Sequence, residues 1–187
     1  MNYSLSWLIS EYEKLQKKDK NLDYLFFWGH TPTKDGSLSK TIFSQWWKKE
    51  FSVNGIIYPT AEHFMMAEKA RLFDDKQTLE EILKAKTPAE AKKLGRKVKN
   101  FNDKIWKENR FKIVVEGNYH KFSDSEYKAF LLGTGNKIIV EASPMDTIWG
   151  IGLAQDSEKV YNPTTWRGLN LLGFALMEVR DKLISES

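Results

Sequence analysis

Residues 53–73 read VNGIIYPTAEHFMMAEKARLF, and this stretch decides the fold class. Asn54-Gly55 tolerates the positive φ angles of a type I′ turn, so VNGIIY predicts a tight β-hairpin. Pro59-Thr60 then opens a helix over AEHFMMAEKARLF, with Thr60 as its N-cap. A hairpin running straight into a helix is antiparallel pairing without a crossover. The same irregular order continues outward. Leu5, Leu8, Ile9, Tyr12 and Leu15 are spaced three to four apart, which predicts a helix within the first twenty residues. YLFFWGH (24–30) predicts a short buried strand entering a turn, and TPTKDGSLSKT (31–41) a polar loop. Downstream, TPAE (87–90) is a capping box with Pro at the first helical position. Residues 102–122 have the length and apolar spacing of a long helix, and SDSE (123–126) caps another that stops at Gly133–Gly135. KIIVEAS (137–143) is β-branched and strand-like, and GLNLLGFALMEVRDKLI (168–184) predicts a final buried helix. Strands and helices do not alternate regularly. The expected fold is therefore α+β, a helix-rich single domain with a small, mostly antiparallel sheet.

Composition narrows the function. The chain has 187 residues, the size of one domain, with no repeat or Pro/Gly/Ser-rich linker to divide it. It has no cysteine, which excludes disulfides, thiolate nucleophiles and zinc-ribbon sites and suits a reducing compartment. The first twenty residues carry acidic groups and no apolar run, so neither a signal peptide nor a membrane span is expected, and the expected location is the cytoplasm. The charge of +4 comes from 29 basic and 25 acidic residues. Lysine clusters at 14–20, 84–99 and 104–112 could attract phosphate, but they read equally as solvated helix faces. Of the seven Trp, seven Tyr and eleven Phe much must be core, but seven indoles leave material for stacking a base.

Elimination points to carboxylates, lysines and aromatics. His30, His63 and His120 form no H-x-H or H-E-x-x-H cluster, so no metal site is expected. There is no Walker A sequence, no G-x-G-x-x-G and no G-x-S-x-G elbow, and no cofactor is expected. Glu62, Met65, Met66 and Lys69 fall at i, i+3, i+4 and i+7, on one helix face. They could line a pocket with an apolar floor and charged ends. Alternatively, Glu62 complements the helix dipole and Lys69 snorkels from a half-buried face. In ASPMDTIWGIG (142–152), Asp146 lies three residues before Trp149, and Gly150 and Gly152 permit close backbone approach to a ligand. A tight loop around a core tryptophan reads the same way. Gly95-Arg96 sits at a predicted helix end, where Arg96 could clamp a phosphate. Trp106, at the start of the next helix, could stack a base or simply pack.

PTAEHFMMAEKA, LGRKV, Trp106, EASPMDTIWGIG and NPTTWRGLNLLGFALMEVR resemble the NADAR family, also called YbiA-like. The resemblance runs from FFWG (26–29) to Arg180. It implies a catalytic domain over residues 23–187, preceded by a helical extension over 1–22. It also implies hydrolysis of a ribosyl N-glycosidic bond. Phosphoribosylamino-pyrimidine intermediates of riboflavin synthesis are one implied substrate class, and ADP-ribose on guanine in nucleic acid is the other. The implied pocket residues are Glu62, Lys69, Gly95, Arg96, Trp106, Asp146, Trp149, Gly150 and Asn170.

The chemistry is consistent with these residues. Departure of an N-linked base leaves positive charge on C1 and the ring oxygen, which a carboxylate stabilises, and a carboxylate also orients the attacking water. Glu62 and Asp146 are the candidates. Lys69 either binds phosphate and assists the leaving group as an ammonium, or attacks a ring-opened C1 as an amine. Arg96 is the candidate phosphate ligand, and Trp106 and Trp149 the base-stacking faces. A non-catalytic nucleotide or single-strand binding module would explain the lysines and tryptophans. It leaves Glu62 and Asp146 without a purpose.

Overall fold

The computed structural model describes residues 2–186; residues 1 and 187, the outer ends of the two expected segments, lie outside the described part. In chain order the elements are α1 (Leu5–Gln16), β1 (Tyr24–Phe27), β2 (Phe51–Val53), β3 (Ile56–Tyr58), α2 (Ala61–Leu72), α3 (Lys76–Lys84), α4 (Pro88–Gly95), α5 (Asp103–Lys121), α6 (Ser125–Leu132), β4 (Ile138–Glu141) and α7 (Leu171–Ser185). Short 3₁₀ turns lie at Lys40–Phe43, Glu158–Tyr161 and Pro163–Thr165. The class is α+β, as expected. Contacts gather the chain into two compact units. One is Gln45–Asp124; the other joins Met1–Ser44 to Ser125–Ser187.

In the unit Gln45–Asp124, β2 and β3 form the expected hairpin, with Asn54 and Gly55 at φ 51° and 79°. Thr60 then caps α2, its Oγ1 accepting from the backbone N–H of His63 at 3.3 Å. Every residue from Ala61 to Ala67 is buried, because α3, α4 and α5 pack around α2. The Phe64 ring meets Tyr58 edge-on at 5.1 Å, and Gly117 of α5 lets that ring approach. A Cβ at Gly117 would lie 2.6 Å from Phe64 Cδ1. The sequence reading did not separate α3. The break depends on Asp74, whose φ is 52°, and on Asp75, whose Oδ1 accepts from the Thr78 amide at 3.1 Å. His63 is structural: its ring joins Thr60 Oγ1 at 2.8 Å and the Ala85 carbonyl at 3.1 Å, and burial lowers its pKa.

In the other unit, β1 pairs with β4 in parallel, Tyr24 opposite Ile138 and Phe27 opposite Glu141. The strands thus form two separate pairs, one antiparallel and one parallel. The parallel pair was not anticipated, because the partner of β1 follows the whole of the other unit in sequence. Helix α7 packs on β4, where a Cβ at Gly173 would lie 2.1 Å from the Ile139 carbonyl oxygen. The buried Arg180 of α7 donates to Thr134 Oγ1 and to the Lys137 carbonyl, both at 2.9 Å. Phe27, Phe43 and Phe130 form an edge-to-face chain in this core.

Candidate functional site

In the unit Gln45–Asp124 the structure brings Lys69, Gly95 and Trp106 together. Lys69 is half-buried in the last turn of α2, where its ammonium donates to the Gly95 carbonyl at 2.8 Å. It stands 4.3 Å from the centroid of the Phe101 ring and 5.5 Å from that of Trp106. A carbonyl and two aromatic faces form a cation cradle, since both kinds of group are attracted to positive charge. Burial lowers the Lys69 pKa. Three local signals build the cradle. Thr87 caps α4, which ends at Gly95; Phe101 precedes the cap; and Asn102 caps α5 by accepting from the Ile105 amide at 3.1 Å.

Gly95 acts first on Lys69 and on packing. A Cβ there would lie 2.0 Å from Met66 Sδ, so only glycine admits this approach of α2 and α4. The Met66 stripe is thereby explained: its thioether covers Gly95 while Lys69, three residues on, reaches the Gly95 carbonyl. Arg96 is the exposed residue that caps α4. Glu62 is on the same face of α2 but only 3% exposed, and its backbone N–H donates to the Gln45 carbonyl at 2.9 Å. Gln45 is itself buried, its side chain accepting from Asn118 Nδ2 at 2.9 Å.

Asp146, Trp149, Gly150 and Asn170 belong to the other unit, where backbone hydrogen bonds dominate. Asp146 Oδ1 accepts from the amides of Ile148 and Trp149, at 2.8 and 2.7 Å. Asn170 is fully buried, with φ 53°. Its Nδ2 donates to the Ile139 carbonyl and its Oδ1 accepts from the Glu141 amide, both at 3.0 Å. At the start of α7, the amides of Leu171 and Leu172 donate to the carbonyls of Ile148 and Trp149. The loop therefore caps a helix whose own N-cap side chain is engaged on β4. Gly150 is buried, and a Cβ there would come within 3.0 Å of the Glu141 and Asp146 carbonyl oxygens. The Trp149 side chain is half-exposed.

Two aromatic residues were missed by the sequence reading. Phe101 stands nearer to the Lys69 ammonium than Trp106 does, and its position just before a helix cap was the available signal. Trp28 directly follows β1 and is 60% exposed. Because β1 and β4 are parallel, Trp28 and the loop that follows β4 leave the same end of the strand pair. Among the described residues, no group of three or more His, Asp or Glu is clustered to hold a metal ion, and no helix is long and apolar enough to cross a membrane.

Comparison with known proteins places these residues in context. Residues 26–184 match the NADAR domain. The chain is 44% identical to N-glycosidase R617 of Acanthamoeba polyphaga mimivirus, over 85% of this chain and 95% of that one. It is 33% identical to the chloroplastic riboflavin biosynthesis protein PYRR of Zea mays, over 68% of this chain and 20% of that protein. The NMR structure of the Escherichia coli protein YbiA superposes with a TM-score of 0.66 at 26% identity, covering 88% of each chain.

Proposed function

The chain belongs to the NADAR domain family, and from that premise we propose that it is an N-glycosidase, a hydrolase that cleaves the bond between a ribose and a base nitrogen. We propose a phosphorylated riboside as substrate, of the phosphoribosylamino-pyrimidine type. The 44% identity to a protein named N-glycosidase, across almost all of that protein, supports the reaction. The match to a riboflavin biosynthesis protein supports the substrate class.

The observation that carries the reading is the Lys69 cradle. A lysine held against a carbonyl and two rings, with its pKa lowered by burial, is set apart from the solvated surface lysines. The carbonyl and the two rings favour the ammonium form while burial opposes it, and as the ammonium Lys69 is assigned to the phosphate or to the negative charge that gathers on the departing base. Arg96, one residue beyond the carbonyl that holds Lys69, is assigned to the phosphate, and the half-buried Trp106 to stacking. Glu62, buried on the same helix face, is assigned the stabilisation of positive charge at C1 and the orientation of water. For the Ser143–Gly152 loop, the reading gives Trp149 a stacking face and Gly150 the close backbone approach. Asp146 and Asn170 hold its shape.

The test is release of free pyrimidine from a 5-phosphoribosylamino-pyrimidine, followed by chromatography. The expected result is release far above the uncatalysed rate by the wild type, and release reduced about 10²–10³-fold by Lys69→Met. Release no faster than in buffer, with a folded wild-type protein, overturns the reading.

A further inference from the structure

We propose that the N-terminal segment builds a second binding site, a pocket for an uncharged planar heteroaromatic ring that carries a hydrogen-bond acceptor on its edge. The pocket has a volume of about 370 Å³ and is lined by Tyr12, Asn21, Leu22, Tyr24 and Tyr161. Four of these five residues precede residue 26, where the match to the NADAR domain begins. The pocket is thus built mainly by the N-terminal segment, and it lies beyond the residues assigned to glycosidic cleavage.

The segment is fixed firmly enough to form a wall. Leu8 of α1 is wholly buried, the Tyr3 hydroxyl donates to Asp181 Oδ2 at 2.5 Å, and the backbone N–H of Asn2 donates to Glu178. Helix α1 packs against the turn Pro163–Thr165, close in sequence to Tyr161. After α1 the chain reverses at Asp19, with φ 54°, and Gln16 Nε2 donates to Asn21 Oδ1 at 3.2 Å, which orients the Asn21 amide.

The chemistry of the pocket selects its ligand. None of the five lining residues is Lys, Arg or His, so a phosphate or carboxylate finds no counter-charge among them. The walls are aromatic: Tyr24 stacks on Phe26 at 5.4 Å, and Tyr161 stands edge-on to Tyr24 at 6.3 Å and to Phe26 at 5.3 Å. Tyr161 nevertheless leaves 61% of its surface exposed, a large aromatic face available at the rim. The Tyr24 hydroxyl oxygen is buried and has no hydrogen-bond partner among the described residues. Burial, and then the neighbouring Tyr12, raise its pKa, so it remains an O–H donor across the physiological range. A buried donor without a partner is costly, and a ring nitrogen or carbonyl of a ligand would satisfy it. The volume lies at the lower end of the range for small-molecule sites and suits a one- or two-ring heterocycle such as a nucleobase.

The site is also set apart within its own unit. Tyr24 opens β1 opposite Ile138, whereas the Ser143–Gly152 loop follows the other end of the strand pair, beyond Phe27 and Glu141.

The test uses the full chain and 2-aminopurine riboside, an uncharged fluorescent purine nucleoside that is quenched on stacking. Saturable quenching is expected, weakened about tenfold by Tyr161→Ala and severalfold by Tyr24→Phe. The second change removes only the hydroxyl and keeps every ring contact. Thermal melting by circular dichroism confirms folding; if Tyr161→Ala is unfolded, Tyr24→Phe decides alone. Turnover of the phosphoribosylamino-pyrimidine is expected to be unchanged in Tyr24→Phe, so failure of this site and failure of the glycosidase reading are distinguishable. No saturation up to millimolar probe, or an affinity that Tyr24→Phe leaves unchanged, overturns the proposal. So does a probe affinity lost in Lys69→Met, which would place the ring at the cradle.

Discussion

Lys69 and Asn170 are both polar residues at helix ends, yet their surroundings are opposite. Lys69 is half-buried, with one carbonyl and two ring faces around a single charged atom. Asn170 is fully buried, with its oxygen and its nitrogen each engaged by the backbone of β4. The contrast extends to their neighbours. Around Lys69, side chains and one carbonyl converge on a cation. Around Asn170, backbone amides and carbonyls tie the Asp146–Gly152 loop to the segment Arg167–Leu172. Residues that resemble one family signature thus divide into a group whose side chains surround one charged atom and a group whose side chains bind the backbone, and the proposed function gives chemistry to the first. Substitutions should separate them: the first lose activity and keep the fold, the second lose the fold.

The largest effect is expected at the cradle. Lys69→Met should lower kcat about 10²–10³-fold while the melting temperature moves little, because the side chain is only half-buried. Lys69→Arg keeps the charge and should retain part of the activity. Borohydride added during turnover should trap no adduct on Lys69. A trapped adduct together with an inactive arginine variant would make the amine a nucleophile and replace the electrostatic assignment.

Asn170→Ala should give the converse result, a loss of about 2–4 kcal/mol of stability with whatever folded protein remains still active. Two buried backbone groups lose their partner, and alanine at positive φ adds about 1 kcal/mol of strain. Asn170→Gly, which tolerates that φ, should recover the strain and not the hydrogen bonds. Urea titration measures both. A stable, inactive Asn170→Ala would move this residue into the group presented for chemistry.

The two carboxylates sharpen the comparison at smaller scale. Asp146→Asn keeps an Oδ1 acceptor for the Ile148 and Trp149 amides and should preserve both fold and turnover, while Asp146→Ala should cost about 1 kcal/mol. Glu62→Gln should instead lower kcat by about 10²–10⁴-fold. The opposite ranking of Asp146→Asn and Glu62→Gln in a turnover assay would reverse the assignment of the two.

What the sequence made legible follows the range of the interactions involved. The Asn54-Gly55 hairpin and the Thr60 and Thr87 helix starts are set by neighbours within four residues, and each stands where it was expected. The parallel pairing of β1 with β4, and the grouping into two units, depend on contacts that no local pattern reports. The candidate site divides in the same way. The Glu62–Met66–Lys69 face was legible from helical spacing. That Gly95 serves Met66 and holds Lys69, and that Phe101 belongs beside Trp106, is legible only once α4 is placed against α2. Asp146 and Asn170 were identified as candidates by type and resemblance, and both prove to carry backbone hydrogen bonds, because a carboxylate or amide in a tight loop suits either purpose.

The smallest effect is a shift along the pH axis at Phe101. Burial is what lowers the Lys69 pKa, and Phe101 is an exposed part of the cover. Phe101→Ala admits water to the ammonium, which favours the charged form. It also removes a cation–π contact of about 0.5–1 kcal/mol, which acts the other way. Because burial is the dominant cause, the net change should raise the pKa. An activity that needs the ammonium declines as pH rises through the folded-state value, so the alkaline limb of the rate profile should move to higher pH. Stability gives an independent reading. Between the lowered folded pKa and the ordinary lysine value, the unfolded chain binds more protons, so stability rises with pH across that window. Phe101→Ala narrows the window and should flatten the rise, and an alkaline limb that moves down instead would show that the ring acts mainly by attracting the cation.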